Sequence, residues 1–276
     1  LLVCYLIFFV TYGYPQVTIN IKKTFRMKIK IIYRIIIFYL IAITLSNIFR
    51  FDIFNIRDLT SELHPSVFTL LIILEGIGVL LGALIAIQLM KKVKASSMSL
   101  FGTSRTRSLL LFILPITVFT IVGINNENEM NSNIYGFISG LGIFIYCIFE
   151  EYGWRGYLQD ELSELKSWKR YLLIGFLWYL WHLPFLSNTD IVGNLTFLGM
   201  MIFGSWGIGQ IAIATKSIIA CAAFHFVVNI FTVNQLLKKG FDGNLKWVAI
   251  GIILTLSIII VNKWTKLAEK TNGNNV

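Results

Sequence analysis

Charged residues are scarce in this sequence. Only 14% of its 276 residues are Asp, Glu, Lys or Arg, whereas about 25% is usual in a soluble domain. Apolar residues make up 56%, and the mean hydropathy is +0.74. These values exclude an ordinary soluble protein and predict a polytopic membrane protein.

Cysteine is also rare. Cys4, Cys147 and Cys221 each lie inside an apolar run, without the spacing of a disulfide framework or a zinc cluster. The H-E-x-x-H pattern of many zinc proteases is absent as well. Neither a disulfide-stabilised fold nor a zinc site is therefore indicated by its usual signature.

No polar linker, low-complexity stretch or internal repeat divides the chain, so we expect one membrane-embedded domain at 27–276, with a motif core at 134–234. The sequence begins at Leu1, and Met27 precedes KIKIIYRIIIFYLIAI, which is typical of a first membrane segment. Residues 1–26 are either a short extra segment or translated sequence upstream of the true start, and we favour the second interpretation.

Eight apolar segments approach the length of about 20 residues that a helix needs to cross a bilayer. They should be helices, because lipid offers backbone groups no other partner outside a closed barrel. The expected fold is all-α, a polytopic transmembrane bundle of about eight helices. The segments lie at 31–49, 66–90, 108–124, 134–154, 171–188, 195–214, 217–234 and 246–262.

The net charge of +10 does not indicate a nucleic-acid partner, because Lys and Arg lie in loops between apolar runs. In an eight-helix count most of these loops share one side with the C-terminus, and that side should be cytoplasmic. The loops at 125–133 and 187–194 are acidic or neutral and belong outside. Lys238 and Lys239 are the exception, in a predicted outer loop.

Ionisable groups inside apolar segments are functional candidates, since each costs about 2.5–3.5 kcal/mol to insert. One is Glu75, in SVFTLLIILEGIGVLL, which we interpret as a helix–helix hydrogen bond. It would become the residue of interest if the protein were a proton-coupled transporter. The others are the charged cluster in EEYGWRGYLQ (150–159), His182, and His225 with Asn229.

The charged cluster has two differently placed acids. Glu151 and Arg155 are four residues apart and can pair on one helix face, while Glu150 is turned about 100° away and remains available for another partner. We expect the helix to end near Gly156. The alternative interpretation is an interfacial turn in which long charged side chains snorkel to water.

The two histidines also have structural alternatives. His182 precedes Pro184, which should bend or end the helix, and it could be a hydrogen-bonded core residue. His225 and Asn229 are four residues apart and could simply join helices. Depth argues for a shared site, since Glu150, His182 and His225 lie roughly 9, 18 and 12 Å from their cytoplasmic helix ends.

Hydrolysis is the chemistry that such a layer could perform. A glutamate and an imidazole can activate a water, and the second histidine with the asparagine amide could stabilise an oxyanion. Alternatively, Glu150, His182 and His225 could bind a divalent metal such as zinc, leaving a fourth position for water.

Three ordered motifs resemble those of a known family. EEYGWR is similar to EExxxR, WYLWH to FxxxH and HFVVN to HxxxN, the motifs of the CPBP intramembrane proteases. This family includes the CAAX prenyl endopeptidases of the Ras-converting type and the bacterial Abi or bacteriocin-processing proteins. The resemblance spans 150–229, and GWRGYLQ and LWHLP look most like the bacterial branch.

The resemblance implies that Glu150 activates water with His182, and that His225 and Asn229 line the site as oxyanion-stabilising groups. Glu151 with Arg155 would support the first motif. Trp178 stands where the family often has phenylalanine, and we expect only fine packing to differ. The family has been described both as metalloproteases and as metal-independent glutamate proteases, so the catalytic type stays open.

The resulting expectation is an intramembrane endopeptidase of a bacterial plasma membrane that cleaves a peptide or protein near the cytoplasmic side. A bacteriocin precursor or leader is the preferred substrate over a farnesylated protein. The alternative is a non-proteolytic bacteriocin-immunity or peptide-binding protein that uses the same pocket.

Overall fold

The computed structural model describes residues 15–55, 65–89, 96–126, 129–187, 190–232, 240–241 and 244–273. Within these residues the chain forms helices and turns without a β-strand, and Ser99 and Ser217 make one isolated bridge. The long helices are α1 (Pro15–Arg50), α2 (Pro65–Leu89), α3 (Arg105–Val122), α4 (Ser132–Glu151), α5 (Ser167–His182), α6 (Ile191–Thr215), α7 (Ile218–Thr232) and α8 (Leu245–Gly273). Each overlaps one predicted segment, so the all-α prediction is confirmed.

Five stretches of the described chain are long and apolar enough to cross a membrane, as expected of a multi-pass membrane protein. They are Ile31–Arg50, Arg105–Val122, Ser132–Glu161, Ile191–Thr215 and Leu245–Lys266, and shorter apolar helices lie at Ile73–Leu89 and Ile218–Ile230. The sequence suggested that all eight segments cross. At 1.5 Å per residue, α5 and α7 reach only about 24 and 22 Å, short of the roughly 30 Å hydrocarbon core.

Two apolar clusters hold the bundle together. In the first, Phe144 and Cys147 of α4 pack with side chains from α3, α7 and α8, among them Phe119 and Phe226. The second joins α1, α2, α5 and α6, and the chain after α4 contributes Trp154 to it. Because this chain segment passes from one cluster into the other, residues 150 and 151 lie at the junction.

The prediction that the fourth helix ends near Gly156 is wrong. A π-helix, Tyr152–Leu158, follows α4 directly, and a last turn, Gln159–Glu161, completes the segment. Single π-helical turns inside α-helices are frequent at functional sites. Measured from Glu161, Glu150 lies about 16 Å along the segment rather than about 9 Å.

Close helix packing accounts for one glycine of this segment. A Cβ atom on Gly153 would lie 2.4 Å from Val79 Cγ1 and 2.9 Å from the Val79 carbonyl oxygen. Only a glycine lets the π-helix approach α2 this closely. The glycine therefore belongs to a helix interface and not to a helix end.

Helix α5 ends as Pro184 predicts. His182 is its last residue, Leu183 takes a left-handed conformation with φ 49°, and a short helical turn begins at Pro184. The catalytic candidate His182 is thus fixed at a helix terminus.

Several expectations fall on residues outside the described ranges or only partly within them. Residues 1–14, and Lys238 with Lys239, lie outside, so the outer-loop prediction for these lysines stays a prediction. Helix α1 begins at Pro15, and the part of 1–26 that follows it is helical. The single-domain boundary at 27 also stays a prediction.

Candidate active site

The carboxylate of Glu150 is fully buried and is held at one oxygen by two tryptophans. Trp154 Nε1 donates to Glu150 Oε2 at 3.1 Å, and Trp178 Nε1 donates to the same oxygen at 3.0 Å. Neither indole bonds Oε1, and the Tyr146 hydroxyl is the described group that approaches the carboxylate closely enough to interact with it. Oε1 is therefore the oxygen that the two indoles leave without a donor.

Glu151 has a different set of partners, as its helix face predicts. Its Oε1 accepts hydrogen bonds from Arg155 Nη1 at 2.6 Å and from His225 Nδ1 at 2.8 Å, and all three side chains are buried. A carboxylate paired with arginine can only accept, so Nδ1 of His225 carries a hydrogen. Nε2 of His225 is then the nitrogen that does not face Glu151.

His182 is oriented in the same way by its own helix. Its Nδ1 lies 2.8 Å from the carbonyl oxygen of Trp178, and because a carbonyl only accepts, Nδ1 carries the hydrogen. In the neutral ring Nε2 is then the acceptor. His182 is therefore hydrogen-bonded through Nδ1, as the structural interpretation from the sequence expects. That interpretation gives no partner for Nε2.

Asn229 and His225 connect α7 to α4. The amide of Asn229 donates to Cys147 Sγ at 3.2 Å, and His225 contacts Glu151 one turn farther along. The spacing of four residues on each helix places the two contacts side by side. The helix-joining role considered from the sequence is therefore present, although sulfur is only a weak acceptor.

Trp178 links the three motifs. Besides its bond to Glu150, its ring lies 4.9 Å from the His225 ring and 4.6 Å from the guanidinium carbon of Arg155, and its carbonyl fixes His182. The expectation that Trp178 alters only fine packing is wrong, because a phenylalanine here could not donate to Glu150. In the comparison with the FxxxH motif, Trp178 was treated only as an aromatic residue, so the hydrogen-bond donor of its indole was not considered.

The three motifs do not include Arg50, which contacts the helix that carries His182. Its Nη1 donates to the carbonyl oxygen of Trp181 at 2.8 Å, in the last turn of α5, and its guanidinium lies 4.0 Å over the Trp181 ring. Its Nε lies 3.8 Å from Glu75 Oε2, which is an interhelical ion pair where the sequence predicted a helix–helix hydrogen bond. The sequence signal for Arg50 was its position as a single charged residue directly after the apolar segment 31–49.

The six candidate residues thus lie close together around Trp178. Glu150, Arg155, His182 and His225 contact Trp178. Glu151 contacts Arg155 and His225, and Asn229 lies one turn from His225 on α7. Among the described residues, no three His, Cys, Asp or Glu side chains are arranged to hold a metal ion.

Known proteins match the part of the chain that holds this site. Residues 131–231 match the Rce1-like family, described as type II CAAX prenyl endopeptidases. A curated relative, CAAX prenyl protease 2 of Methanococcus maripaludis, is 34% identical over 128 residues, which cover 41% of this chain and 47% of the relative. The resemblance to the CAAX prenyl endopeptidases is confirmed for this region.

The match to the CAAX-protease family covers part of the chain. The chain spans about half the length of the curated relative. All six candidates, with Trp154 and Trp178, lie within 131–231, and the predicted core at 134–234 nearly coincides with it. Arg50 and Glu75, which support α5, lie outside the matched region.

Proposed function

We propose that this protein is an intramembrane endopeptidase in which Glu150 activates the attacking water with help from His182. The observation that carries this proposal is the asymmetric environment of the Glu150 carboxylate. Two indoles hold Oε2, whereas neither of them bonds Oε1. In the proposed mechanism, Oε2 orients the carboxylate and Oε1 transfers the proton.

The reaction can be written on these side chains alone. A water donates one hydrogen bond to His182 Nε2 and the other to Glu150 Oε1, which takes the proton as hydroxide attacks the scissile carbonyl carbon. The tetrahedral intermediate then collapses with cleavage of the C–N bond. Glu150, now protonated, returns the proton to the leaving amine.

Asn229 and His225 are the proposed donors to the developing oxyanion. The Asn229 amide can turn from the weak sulfur acceptor of Cys147 toward a charged oxygen, which is a stronger partner. His225 already gives its Nδ1 hydrogen to Glu151, so it can donate from Nε2 only as an imidazolium. The Glu151 carboxylate would stabilise that cation.

The proposed substrate is a peptide or protein associated with the membrane. Burial of the site within apolar helices supports a substrate that enters from the bilayer, and the curated relative is named a CAAX prenyl protease. A bacteriocin precursor stays our preferred natural substrate, in a bacterial plasma membrane with the C-terminus cytoplasmic.

Cleavage assays with Glu150→Gln test this function. The purified protein in lipid vesicles is incubated with a prenylated CAAX-type peptide and with an unprenylated leader-type peptide, and products are identified by mass spectrometry. We expect the wild type to cleave at least one peptide and Glu150→Gln to cleave neither, at equal abundance in the membrane. Peptide binding without cleavage by the wild type would favour the immunity or peptide-binding alternative.

A further inference from the structure

We propose that Trp154 and Trp178 are positioning residues that clamp Glu150 Oε2 and so leave Oε1 to act as the base. This inference rests on the proposed function for its catalytic meaning, while the clamp itself rests on geometry. Both indoles donate to one oxygen, at 3.1 and 3.0 Å, and neither indole has any exposed surface.

The two donors come from different structural elements. Trp154 belongs to the π-helix one turn after Glu150, and Trp178 belongs to α5. The π-helix still allows the bond over four residues while Trp154 packs edge-on against Phe38 and Trp181, with ring centroids 5.5 and 6.0 Å apart. Each indole is thereby held by packing, and neither can leave the carboxylate without disturbing its own helix contacts.

Because both indoles donate to Oε2, the two carboxylate oxygens of Glu150 have different hydrogen-bonding environments. A carboxylate oxygen has two lone-pair directions in the carboxylate plane, and two N–H groups can occupy both. Rotation of the side chain would break both bonds inside a buried environment, where each lost bond to a charged group is costly. Oε1 is consequently presented in a fixed direction, which is the requirement for a base that must meet a water in a defined orientation.

The clamp also sets the relative positions of the acid and the two imidazoles. Trp178 contacts Glu150 with its N–H, His182 with its carbonyl and His225 with its ring edge-to-face. A single residue thus contacts members of all three motifs, through its side chain at Glu150 and His225 and through its backbone at His182. A packing role alone would require the ring but not the N–H group.

Removal of each N–H group tests the proposal. Trp178→Phe and Trp154→Phe keep an aromatic ring and lose the donor, and we expect kcat to fall about tenfold for each, with KM unchanged. Replacement of either tryptophan by 3-benzothienylalanine, which exchanges N–H for sulfur and keeps both rings, should cause the same loss. Full kcat with 3-benzothienylalanine at both positions would overturn the proposal.

Trp264→Phe is the matched control. Trp264 is 2% exposed and donates from Nε1 to Thr103 Oγ1 at 2.7 Å, so its substitution also removes a buried indole hydrogen bond. We expect wild-type kcat for this variant. A tenfold loss there would show that any buried indole bond matters, and would overturn the specific role of the clamp.

A spectroscopic measurement separates the clamp from the proposed activity. In ultraviolet resonance Raman spectra, the indole band that is sensitive to N–H hydrogen bonding should show two fewer strong donors in Glu150→Leu than in the wild type. An unchanged band would overturn the clamp even if Glu150→Gln is inactive. A changed band with active Glu150→Gln would retain the clamp and reject the proposed catalytic function.

Discussion

His225 places Nδ1 2.8 Å from Glu151 Oε1, although the two residues lie 74 positions apart in sequence and on different helices. The contact joins the second acid of one motif to the histidine of another. It gives Glu151 a task that Glu150 cannot share, because the two carboxylates face different partners. Under the proposed function, Glu150 is the base and Glu151 is a positioning group.

Glu151→Gln should destabilise the protein and inactivate it. The substitution leaves the Arg155 guanidinium buried with a neutral partner, which typically costs about 3–5 kcal/mol when a buried pair is broken. The double variant Glu151→Gln with Arg155→Met should recover part of that loss, because no uncompensated charge remains. Thermal unfolding in detergent measures both, and greater loss in the double variant would contradict this account.

The activity of that double variant provides a second readout. His225 would lose its carboxylate acceptor in both variants, so peptide cleavage should stay low even where stability recovers. A matched control is the pair Arg34 and Glu161, whose Nη2 and Oε2 atoms lie 2.7 Å apart outside the site. Substitution of that pair should alter stability without a selective loss of kcat.

Asn229→Ala should separate catalysis from helix joining. If the amide stabilises the oxyanion, its loss should lower kcat by about 10²–10³-fold, while stability changes little because the bond to Cys147 Sγ is weak. Cys147→Ala is the control, since it removes the acceptor and leaves the amide. Equal effects of the two variants on cleavage would indicate that Asn229 only joins α7 to α4.

Residue spacing predicted the local contacts of the candidate site, because helix periodicity determines which side chains share a face. The Glu151–Arg155 pair is local, four residues along one helix, and its geometry follows from helix periodicity. The contact between His225 and Glu151 depends on how α7 packs against α4, which no local pattern specifies. The sequence could predict only that both groups lie at membrane depth.

The missed features have a similar explanation. The π-helix at Tyr152–Leu158 has no signature that separates it from α-helix in an apolar run, so its glycines were interpreted as a helix end. Trp154 and Trp178 were counted as apolar or aromatic, although an indole is also a donor. Arg50 lies 100 residues before the first motif and reaches the site only through α1 packing against α5.

Gly153→Ala should destabilise the junction of the π-helix with α2. The added Cβ would meet Val79 Cγ1 at 2.4 Å, and overpacking of this kind typically costs about 1–3 kcal/mol. Val79→Ala should restore only part of the stability, because the Val79 carbonyl oxygen would still lie 2.9 Å away. Gly199→Ala is the control, since nothing lies within 4 Å of its added Cβ and a helical alanine is favoured by about 1 kcal/mol.

Chelation should leave peptide cleavage intact. Glu150, His182 and His225 are the side chains that a catalytic metal would need, but Glu150 Oε2 is occupied by two indoles, and the described residues do not assemble three ligands. Cleavage by the vesicle-bound protein is measured before and after dialysis against EDTA, with Glu150→Gln as the inactive reference. Loss of cleavage that zinc restores in the wild type, and not in His182→Ala, would show that the helices rearrange into a metal site and would replace the water-activation scheme proposed for Glu150.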